Sequence, residues 1–541
     1  MAKRRKIPTK TELVQLQKLY RTDEKIGERL GGVPAYLIAY WRRKKNVPKH
    51  SQPKFSEKEI NGLWERYGDD DRCGLELGIS KAAFYNWRRR YGIKEKPAFL
   101  KLEQLELNFP GMKPSANAAS LWNKQTVVQK ILARTSSLTK VEVGQRLAVE
   151  PDLVLAGGAS AQVIGRFEAG GGEYVWNTAK IILSADPDSY AAADRAGDLR
   201  LAVREFSGRQ RIKQLYSRSA GALGQVVLEH GRVLPGQLIL GVGAGVAAFG
   251  CMAGFGTRVS PETLAEVWIG GTTTIDVPAS VRIDISGRRP RGVYARDIAL
   301  SIVKRLQDEP VAGCVIEFYG SAISQMTIGE RFALTGLMPS VGAAGAICQF
   351  DSNTRRYLMG RAQTTLEPIV SDKNATYDGH YQVNIDQLFP QIAGPNSLKE
   401  IKPVSQVEGV PVHLVMIGGE TAGRFDDLRF AADILKGRRI NPECRLLIHP
   451  ASHTVYLEAL KKGIIRVFAE AGAVVVPTGC CSEELPPWMR LGPTERCLST
   501  DNETDPAAFG EPSSEVFLCS PATAAASAIN AAITDPIRYG K

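Results

Sequence analysis

The sequence predicts an α/β body preceded by a small all-α domain, and three observations support this fold class. From Leu121 to the C-terminus, strand-like and helix-like segments alternate, as they do in α/β proteins. The first hundred residues contain an internal repeat instead. They also hold 24 Lys and Arg against 12 Asp and Glu, whereas residues 101–541 carry 45 of each. The whole formal charge of +12 therefore belongs to the N-terminal segment, which suggests a polyanion-binding module.

The N-terminal repeat consists of two similar segments. Val33-x7-Trp41-Arg42-Arg43-Lys44 recurs 46 residues later as Ile79-x7-Trp87-Arg88-Arg89-Arg90. Each copy predicts three short helices, and a glycine-containing turn separates the second helix from the third, which is the helix-turn-helix arrangement. The predicted helices span residues 10–20, 23–30, 34–45, 56–67, 70–77 and 80–91.

The last helix of each copy combines aromatic side chains with a basic triplet. Phe84 and Trp87 share one helix face, so the arginines beside them spread over faces where they can reach phosphates or guanine edges. A small basic helical domain that binds protein is the alternative, but a duplicated motif on the charged segment favours duplex DNA. This half resembles the tandem helix-turn-helix domains of transposases and small regulators. The predicted DNA-binding residues are Arg42, Arg43, Lys44, Arg88, Arg89 and Arg90.

Prolines mark the boundary between the two parts. The segment from Lys94 to about Ser120 contains three prolines and loses clear periodicity, which is typical of a linker. We therefore expect a tandem helix-turn-helix module over residues 1–96, a linker over 97–120 and the α/β body over 121–541.

Cysteine usage and the N-terminus predict a cytoplasmic protein. The nine cysteines are odd in number and lack disulfide-like spacing, which favours a reducing compartment. The basic start is not followed by the apolar core of a signal peptide. The charge-free stretch from Val233 to Thr257 is long enough to span a membrane, but its glycines and Pro235 favour a buried turn and helix. We expect no membrane contact.

A strand-to-helix turn near residue 420 organises the predicted functional site. An apolar run from Val412 to Ile417 predicts a buried strand. Gly418 and Gly419 permit a sharp turn, and a helical pattern follows from Leu428. An ordinary connection is one interpretation; the other is an anion site at the start of the helix.

The octet Ile417-Gly418-Gly419-Glu420-Thr421-Ala422-Gly423-Arg424 resembles the Ile-Gly-Ser-Cys-Thr-Asn-x-Arg turn of the aconitase and isopropylmalate dehydratase superfamily. Further motifs follow in family order, including Leu234-Pro235-Gly236, the Glu-Phe-x-Gly-like Ile316–Gly320 and the closing Ser520–Ala526. The dehydratase large subunit fits better than full-length aconitase, because no further swivelling domain follows. The resemblance implies an aconitase-like α/β/α body, hydro-lyase chemistry and a separate small subunit.

The same resemblance implies a 4Fe-4S cluster held by three cysteine thiolates. Glu420 stands at the first of these positions. The second motif, Gly-Cys-x-x-Cys, reads Gly479-Cys480-Cys481-Ser482-Glu483, so Cys480 matches and Glu483 replaces the last cysteine. Two of three ligands are absent, and we expect no cluster. Cys480 and Cys481 have two alternative roles. They bind a single Zn²⁺ or Fe²⁺, or they are reduced, buried thiols.

Other polar positions of the family's site differ as well. The stretch Leu238–Gly245 lacks the family's Asp-Ser-His-Thr segment, and Gly336 and Ser340 replace its Asn and Glu. Glu503 stands where the family motif Asn-Arg-Asn-Phe places an arginine that binds a substrate carboxylate. Among the polar side chains that remain are Glu317 and Asp351.

Arg424 is the main candidate for contact with an anion, and a salt bridge to Asp426 or Asp427 is its alternative role. The predicted ligand-binding residues are Thr421, Arg424, Glu420 and Glu503.

These observations lead to three functional hypotheses. We favour a DNA-binding regulator whose catalytically inactive body senses a small carboxylate or scaffolds a homodimer. The alternative is a hydro-lyase that acts on 2-hydroxy di- or tricarboxylates with a small subunit. A third hypothesis is an RNA-binding protein, because apo-aconitases of the superfamily bind RNA.

Overall fold

The computed structural model places the chain in two compact units, residues 1–114 and 115–541. The predicted linker and the Cys480–Glu483 motif lie outside the residues that the structure describes. Those residues are 7–20, 22–47, 55–67, 70–77, 79–93, 124–186, 196–362, 368–478, 485 and 487–539.

The first unit contains two three-helix repeats, each with its own apolar core. Their helices begin and end within about two residues of the predicted positions. Leu13, Ile26 and Ile38 form the centre of the first core, and Ile60, Cys73 and Phe84 occupy the equivalent positions of the second. The all-α prediction for this segment is therefore confirmed. The helices are α1 (Lys10–Tyr20), α2 (Asp23–Arg29), α3 (Ala35–Lys44), α4 (Glu57–Tyr67), α5 (Asp70–Glu76) and α6 (Lys81–Arg90).

A glycine in the second helix of each repeat lets the following turn fold back closely. The carbonyl of Gly27 accepts the Val33 N–H at 2.9 Å, and that of Gly74 accepts the Ile79 N–H at 2.8 Å. A Cβ atom on Gly27 would lie 2.0 Å from the Val33 carbonyl oxygen, and one on Gly74 would lie 2.8 Å from that of Ile79. Any larger residue would push the third helix away from the second.

The second unit is a mixed α/β body, which confirms the predicted fold class. Its helices are α7 (Val127–Thr135), α8 (Ser160–Ala169), α9 (Ala196–Gln210), α10 (Leu223–Glu229), α11 (Pro261–Gly270), α12 (Ala295–Leu306), α13 (Ser321–Gln325), α14 (Ile328–Leu337), α15 (Ser352–Leu358), α16 (Phe425–Leu435), α17 (His453–Lys461), α18 (Ile464–Ala471), α19 (Pro506–Phe509) and α20 (Pro521–Asn530). Its strands are β1 (Arg146–Val149), β2 (Leu153–Gly157), β3 (Ile181–Ser184), β4 (Leu215–Tyr216), β5 (Leu238–Gly241), β6 (Phe255–Arg258), β7 (Thr273–Asp276), β8 (Ser280–Ser286), β9 (Val315–Tyr319), β10 (Gly345–Cys348), β11 (Gly379–Asn384), β12 (Gln391–Ala393), β13 (Ile401–Pro403), β14 (Leu414–Gly418), β15 (Arg445–His449), β16 (Val474–Val475), β17 (Arg496–Ser499) and β18 (Glu515–Cys519).

Within the described residues of the body, the strands form three larger sheets and one antiparallel pair, β1-β7. The first sheet is parallel with the order β4-β3-β2-β5-β6, so the strand order reverses between β2 and β5. The second is a parallel sheet with the order β10-β9-β8-β11. The third has the order β13-β12-β18-β17-β14-β15-β16, and its antiparallel strands β12 and β13 lie at one edge. In such sheets, ligands bind beyond the carboxyl ends of the strands, where the order reverses.

The charge-free stretch from Val233 to Thr257 folds into the body as a turn, strand β5, the 3₁₀ helix Ala244–Met252 and most of β6. Phe249 and Cys251 of this segment are buried. Within the part of the chain that the structure describes, no helix is long and apolar enough to cross a membrane.

Candidate functional site

The turn after β14 closes against the loop that follows β17. Gly418 and Gly419 adopt φ angles of 113° and 132°, in the region that favours glycine. A Cβ atom on Gly419 would lie 2.2 Å from the Asp501 Oδ2 atom, so only glycine permits this contact. The predicted sharp turn is therefore present, and Asp501 sits directly against it.

The carboxylate of Asp501 occupies the turn that precedes α16, whose first residue is Phe425. Its carboxylate accepts hydrogen bonds from the backbone N–H groups of Glu420 and Thr421, both at 3.0 Å, and from the Thr421 hydroxyl. The Asp501 side chain is buried. Two N–H groups of the turn that could hold a ligand anion are thus occupied by a carboxylate of the protein itself.

Two cavities meet at Thr421. The first, of about 160 Å³, lies at the carboxyl ends of β2, β3, β4 and β5, where the strand order reverses. Its polar lining includes Ser184, Arg218, Glu420 and Thr421. The second, of about 560 Å³, is lined by Arg258, Gly336, Ser340, Thr421 and Asn502, among others. Gly336 and Ser340, which stand where the family resemblance implies Asn and Glu, both line this second cavity.

Glu420 faces the first cavity and pairs with Arg218 at 3.5 Å. The Glu420 side chain is half exposed, whereas that of Arg218 is mostly buried. The Arg218 backbone N–H donates to the Asp186 carboxylate at 2.7 Å, and this hydrogen bond holds the backbone at Arg218 in place. Burial raises the pKa of Asp186, but hydrogen bonds from Arg218, Arg200 and Ser217 outweigh it and hold the pKa below its usual range.

Arg424 stabilises the turn from inside the protein. Its guanidinium donates to the Thr421 carbonyl at 2.8 Å and stacks on Phe332 at 3.6 Å from the ring centroid. Burial lowers its pKa, while the charge of Asp427 opposes that shift. Among the described residues, its Nε and Nη2 atoms have no hydrogen-bond partner, and no ion pair joins it to Asp426 or Asp427. The alternative of a salt bridge is therefore not formed.

The remaining sequence candidates hold local structure. Glu503 is exposed, and its carboxylate accepts the backbone N–H groups of Thr504 and Asp505. Glu317 is buried and accepts the hydroxyls of Tyr319 at 2.8 Å and Tyr377 at 3.0 Å. Burial raises the pKa of Glu317, and these hydrogen bonds oppose the shift.

Asp351 caps α15 by accepting the N–H groups of Asn353 and Thr354, and it pairs with Arg331. Like Glu317 and Glu503, Asp351 does not line either cavity described above.

Sequence inspection missed three residues that shape the site, namely Arg218, Asp501 and Arg296. Arg296 is buried and donates to the Thr500 carbonyl at 2.8 Å and to the Asn502 side chain. The Asn502 amide in turn donates to the Gly336 carbonyl at 3.0 Å. Asp501 and Asn502 follow strand β17 after one intervening residue, Thr500. A polar pair just beyond the carboxyl end of a buried strand is the signal that could have identified them.

The described part of the site does not fit a four-iron cluster. Such a cluster needs thiolate ligands, and the turn offers the Glu420 carboxylate instead. The buried thiols of Cys251 and Cys348 line neither cavity, and burial raises their pKa values. Across the described ranges, no three His, Cys, Asp or Glu side chains are grouped to hold a metal ion. Cys480, Cys481 and Glu483 lie outside those ranges.

Comparisons with known proteins identify a family model and relatives that this chain resembles. Residues 189–531 match the model of the aconitase family (aconitate hydratase). The chain is 33% identical over 416 residues to the 3-isopropylmalate dehydratase large subunit 1 of Methanopyrus kandleri, covering 77% of this chain and 99% of that relative. It is 30% identical over 418 residues to a probable methanogen homoaconitase large subunit of Methanothermobacter thermautotrophicus, covering 76% and 98%. The crystal structure of Thermococcus kodakaraensis aconitase X (holo-form) aligns at a TM-score of 0.40 and 12% identity, covering 74% and 95%.

Proposed function

The chain belongs to the aconitase family, and we propose that it is a DNA-binding regulator whose body binds a small carboxylate without a four-iron cluster. The observation that carries this proposal is the ion pair of Glu420 with Arg218 in the cleft, at the position where the family resemblance implies a cluster thiolate. A carboxylate there does not supply the thiolate by which such clusters are ordinarily held.

Arg218 supplies the cationic partner for a ligand carboxylate in this proposal. Its guanidinium lies in the smaller cavity, beside the Thr421 hydroxyl and the half-exposed Glu420. A ligand carboxylate would displace Glu420 from Arg218, because both are anions that compete for one guanidinium. Asp501 already accepts from the backbone of the turn, so in this proposal the ligand carboxylate contacts the Arg218 guanidinium in the smaller cavity.

The DNA-binding part of the proposal rests on charge and repetition. The N-terminal hundred residues carry the whole net charge, and two equivalent three-helix repeats present basic residues on their last helices. The cytoplasmic location and a homodimer formed through the body stay predictions.

Binding of carboxylates tests the role of Arg218 directly. Citrate, malate and isopropylmalate would be titrated into the full-length protein by calorimetry, with thermal unfolding as a second readout. We expect at least one saturable ligand, weaker binding in Arg218→Gln and tighter binding in Glu420→Gln. Arg258→Gln, in the larger cavity, serves as the matched control. Equal affinities in all four proteins, or no binding at all, would contradict the proposal.

A hydro-lyase is the second candidate, and the relatives favour it. Their names describe dehydratase and homoaconitase large subunits, and this chain spans nearly their full length. This candidate includes a separate small subunit as partner. Turnover of 2-hydroxy di- or tricarboxylates by the protein mixed with such a subunit would support it. The absence of turnover with iron-reconstituted protein would favour the regulator.

A further inference from the structure

The exposed face of α3 carries three side chains that can contact DNA. Tyr36 and Tyr40 are 70% and 53% exposed, and Arg43 is exposed one turn further on. Their spacing of four and then three residues places them on one side of the helix. In helix-turn-helix proteins, residues in the N-terminal part of the recognition helix contact base edges in the major groove. Tyr36 occupies that part of α3, and Tyr40 follows one turn later on the same face.

The equivalent face of α6 differs at two of these three positions. Ala82, Asn86 and Arg89 lie 46 residues after Tyr36, Tyr40 and Arg43, and all three are exposed. The arginine is therefore shared between the repeats, whereas both tyrosines are replaced. The exposed tyrosine of α6 is Tyr85 instead, at 44% exposure.

An internal ion pair holds the third helix of each repeat in the same way. Arg42 donates to both carboxylate oxygens of Asp23 at 2.8 and 2.7 Å and also to the Val47 carbonyl. Arg88 donates to Asp70 at 2.8 and 2.9 Å and to the Ile93 carbonyl. The two arginine side chains are only 7% and 12% exposed.

These ion pairs correct the predicted DNA contacts of Arg42 and Arg88. Both guanidinium groups are turned inward, and their hydrogen bonds to the aspartates raise their pKa values. The exposed basic residues that remain of the predicted set are Arg43, Lys44, Arg89 and Arg90. Since the two ion pairs are equivalent, the last helix of each repeat is held in the same way, whereas the exposed side chains of the two helices differ.

We infer that the two repeats recognise different base sequences, and that one chain binds a composite, non-palindromic site in duplex DNA. The inference rests on the proposed DNA-binding function. An asparagine makes paired hydrogen bonds to adenine, an alanine contacts the thymine methyl group, and an arginine pairs with guanine. The α6 face offers all three in Ala82, Asn86 and Arg89, whereas α3 offers two tyrosines with its arginine. Symmetric dimers, by contrast, recognise two equal half-sites.

The inference is tested by selecting duplexes from a random library with the full-length protein. We expect two unlike half-sites on one duplex. On the selected duplex, Asn86→Ala should weaken binding roughly 5- to 150-fold and relax base preference in one half only. Tyr40→Ala, at the equivalent position, is the matched variant and should relax the other half only. Circular dichroism confirms that both variants remain folded.

The outcomes separate this inference from the function on which it rests. Selection of two identical half-sites, of a palindrome, or of no preferred sequence would overturn the inference while leaving DNA binding in place. Loss of base preference in the same half-site with both variants would overturn the inference as well. Failure of the wild-type protein to bind any duplex, or binding without a steep dependence on salt, would overturn the proposed DNA-binding function itself.

Discussion

Replacing Asp501 should release the turn that carries Glu420 and Thr421. In Asp501→Asn one carboxylate oxygen becomes an amide nitrogen, so either the Glu420 or the Thr421 N–H loses its acceptor. A hydrogen bond to a charged group contributes ~1.5–3 kcal/mol, and an unsatisfied buried N–H costs ~1–3 kcal/mol. We therefore expect the variant to lose about 2–3 kcal/mol of unfolding free energy.

Urea unfolding and hydrogen–deuterium exchange measure the consequences of the Asp501→Asn substitution for the whole body and for the turn alone. Urea unfolding reports the stability of the body, and exchange at Glu420 and Thr421 reports the turn itself, where we expect faster exchange. Asp505→Asn is the matched control, because Asp505 caps the Ala507 N–H at an exposed position. Its loss should cost about 1 kcal/mol or less and leave exchange at residues 420 and 421 unchanged.

Chemical rescue makes the prediction more specific. Asp501→Ala removes a group the size of formate, so added formate should slow the exchange of the turn again, whereas chloride at equal ionic strength should not. Wild-type stability and wild-type exchange in both Asp501 variants would refute the view that an internal carboxylate occupies this anion site.

Two further predictions concern ion pairs elsewhere in the chain. Arg42→Ala should destabilise the first N-terminal repeat by about 2–4 kcal/mol, because Asp23 loses its buried partner. Hydrogen–deuterium exchange over residues 10–47 measures this loss of stability. Adding Asp23→Ala to the same protein should recover part of the loss. Asp186 has a lowered pKa, so its stabilising contribution is present above about pH 4 and declines as the pH falls through the folded-state pKa. Asp186→Asn should therefore be less stable than wild type at pH 7, and the difference should shrink in urea titrations at pH 3; a constant difference would contradict this assignment.

The six N-terminal helices could be predicted from sequence because a repeat shows the same pattern twice and their caps and cores are local. The roles within the basic triplets could be predicted only in part. Arg42 lies four residues after buried Ile38, and Arg88 four residues after buried Phe84, so helical spacing points both arginines towards the core side. This spacing could have shown from sequence that both arginines point inward. It could not have identified their partners, because the aspartates lie 18 or 19 residues away.

The candidate site was less predictable, because its decisive contact is long-range. Glu420 and Thr421 meet Asp501 about 80 residues later in the chain, and only the neighbouring parallel strands β14 and β17 bring them together. Local sequence therefore identified a turn suited to an anion, but it could not show that the protein fills the turn itself. Arg424 illustrates the same limit, since its stacking on Phe332 depends on the packing of α14.

The iron and acid-labile sulfide content of protein purified without oxygen tests the central claim most directly. The account predicts well below one iron per chain and no broad absorption near ~400 nm, because Glu420 faces Arg218 where a thiolate would be needed. About four iron and four sulfide per chain, with that absorption, would contradict the account and make the hydro-lyase the leading function.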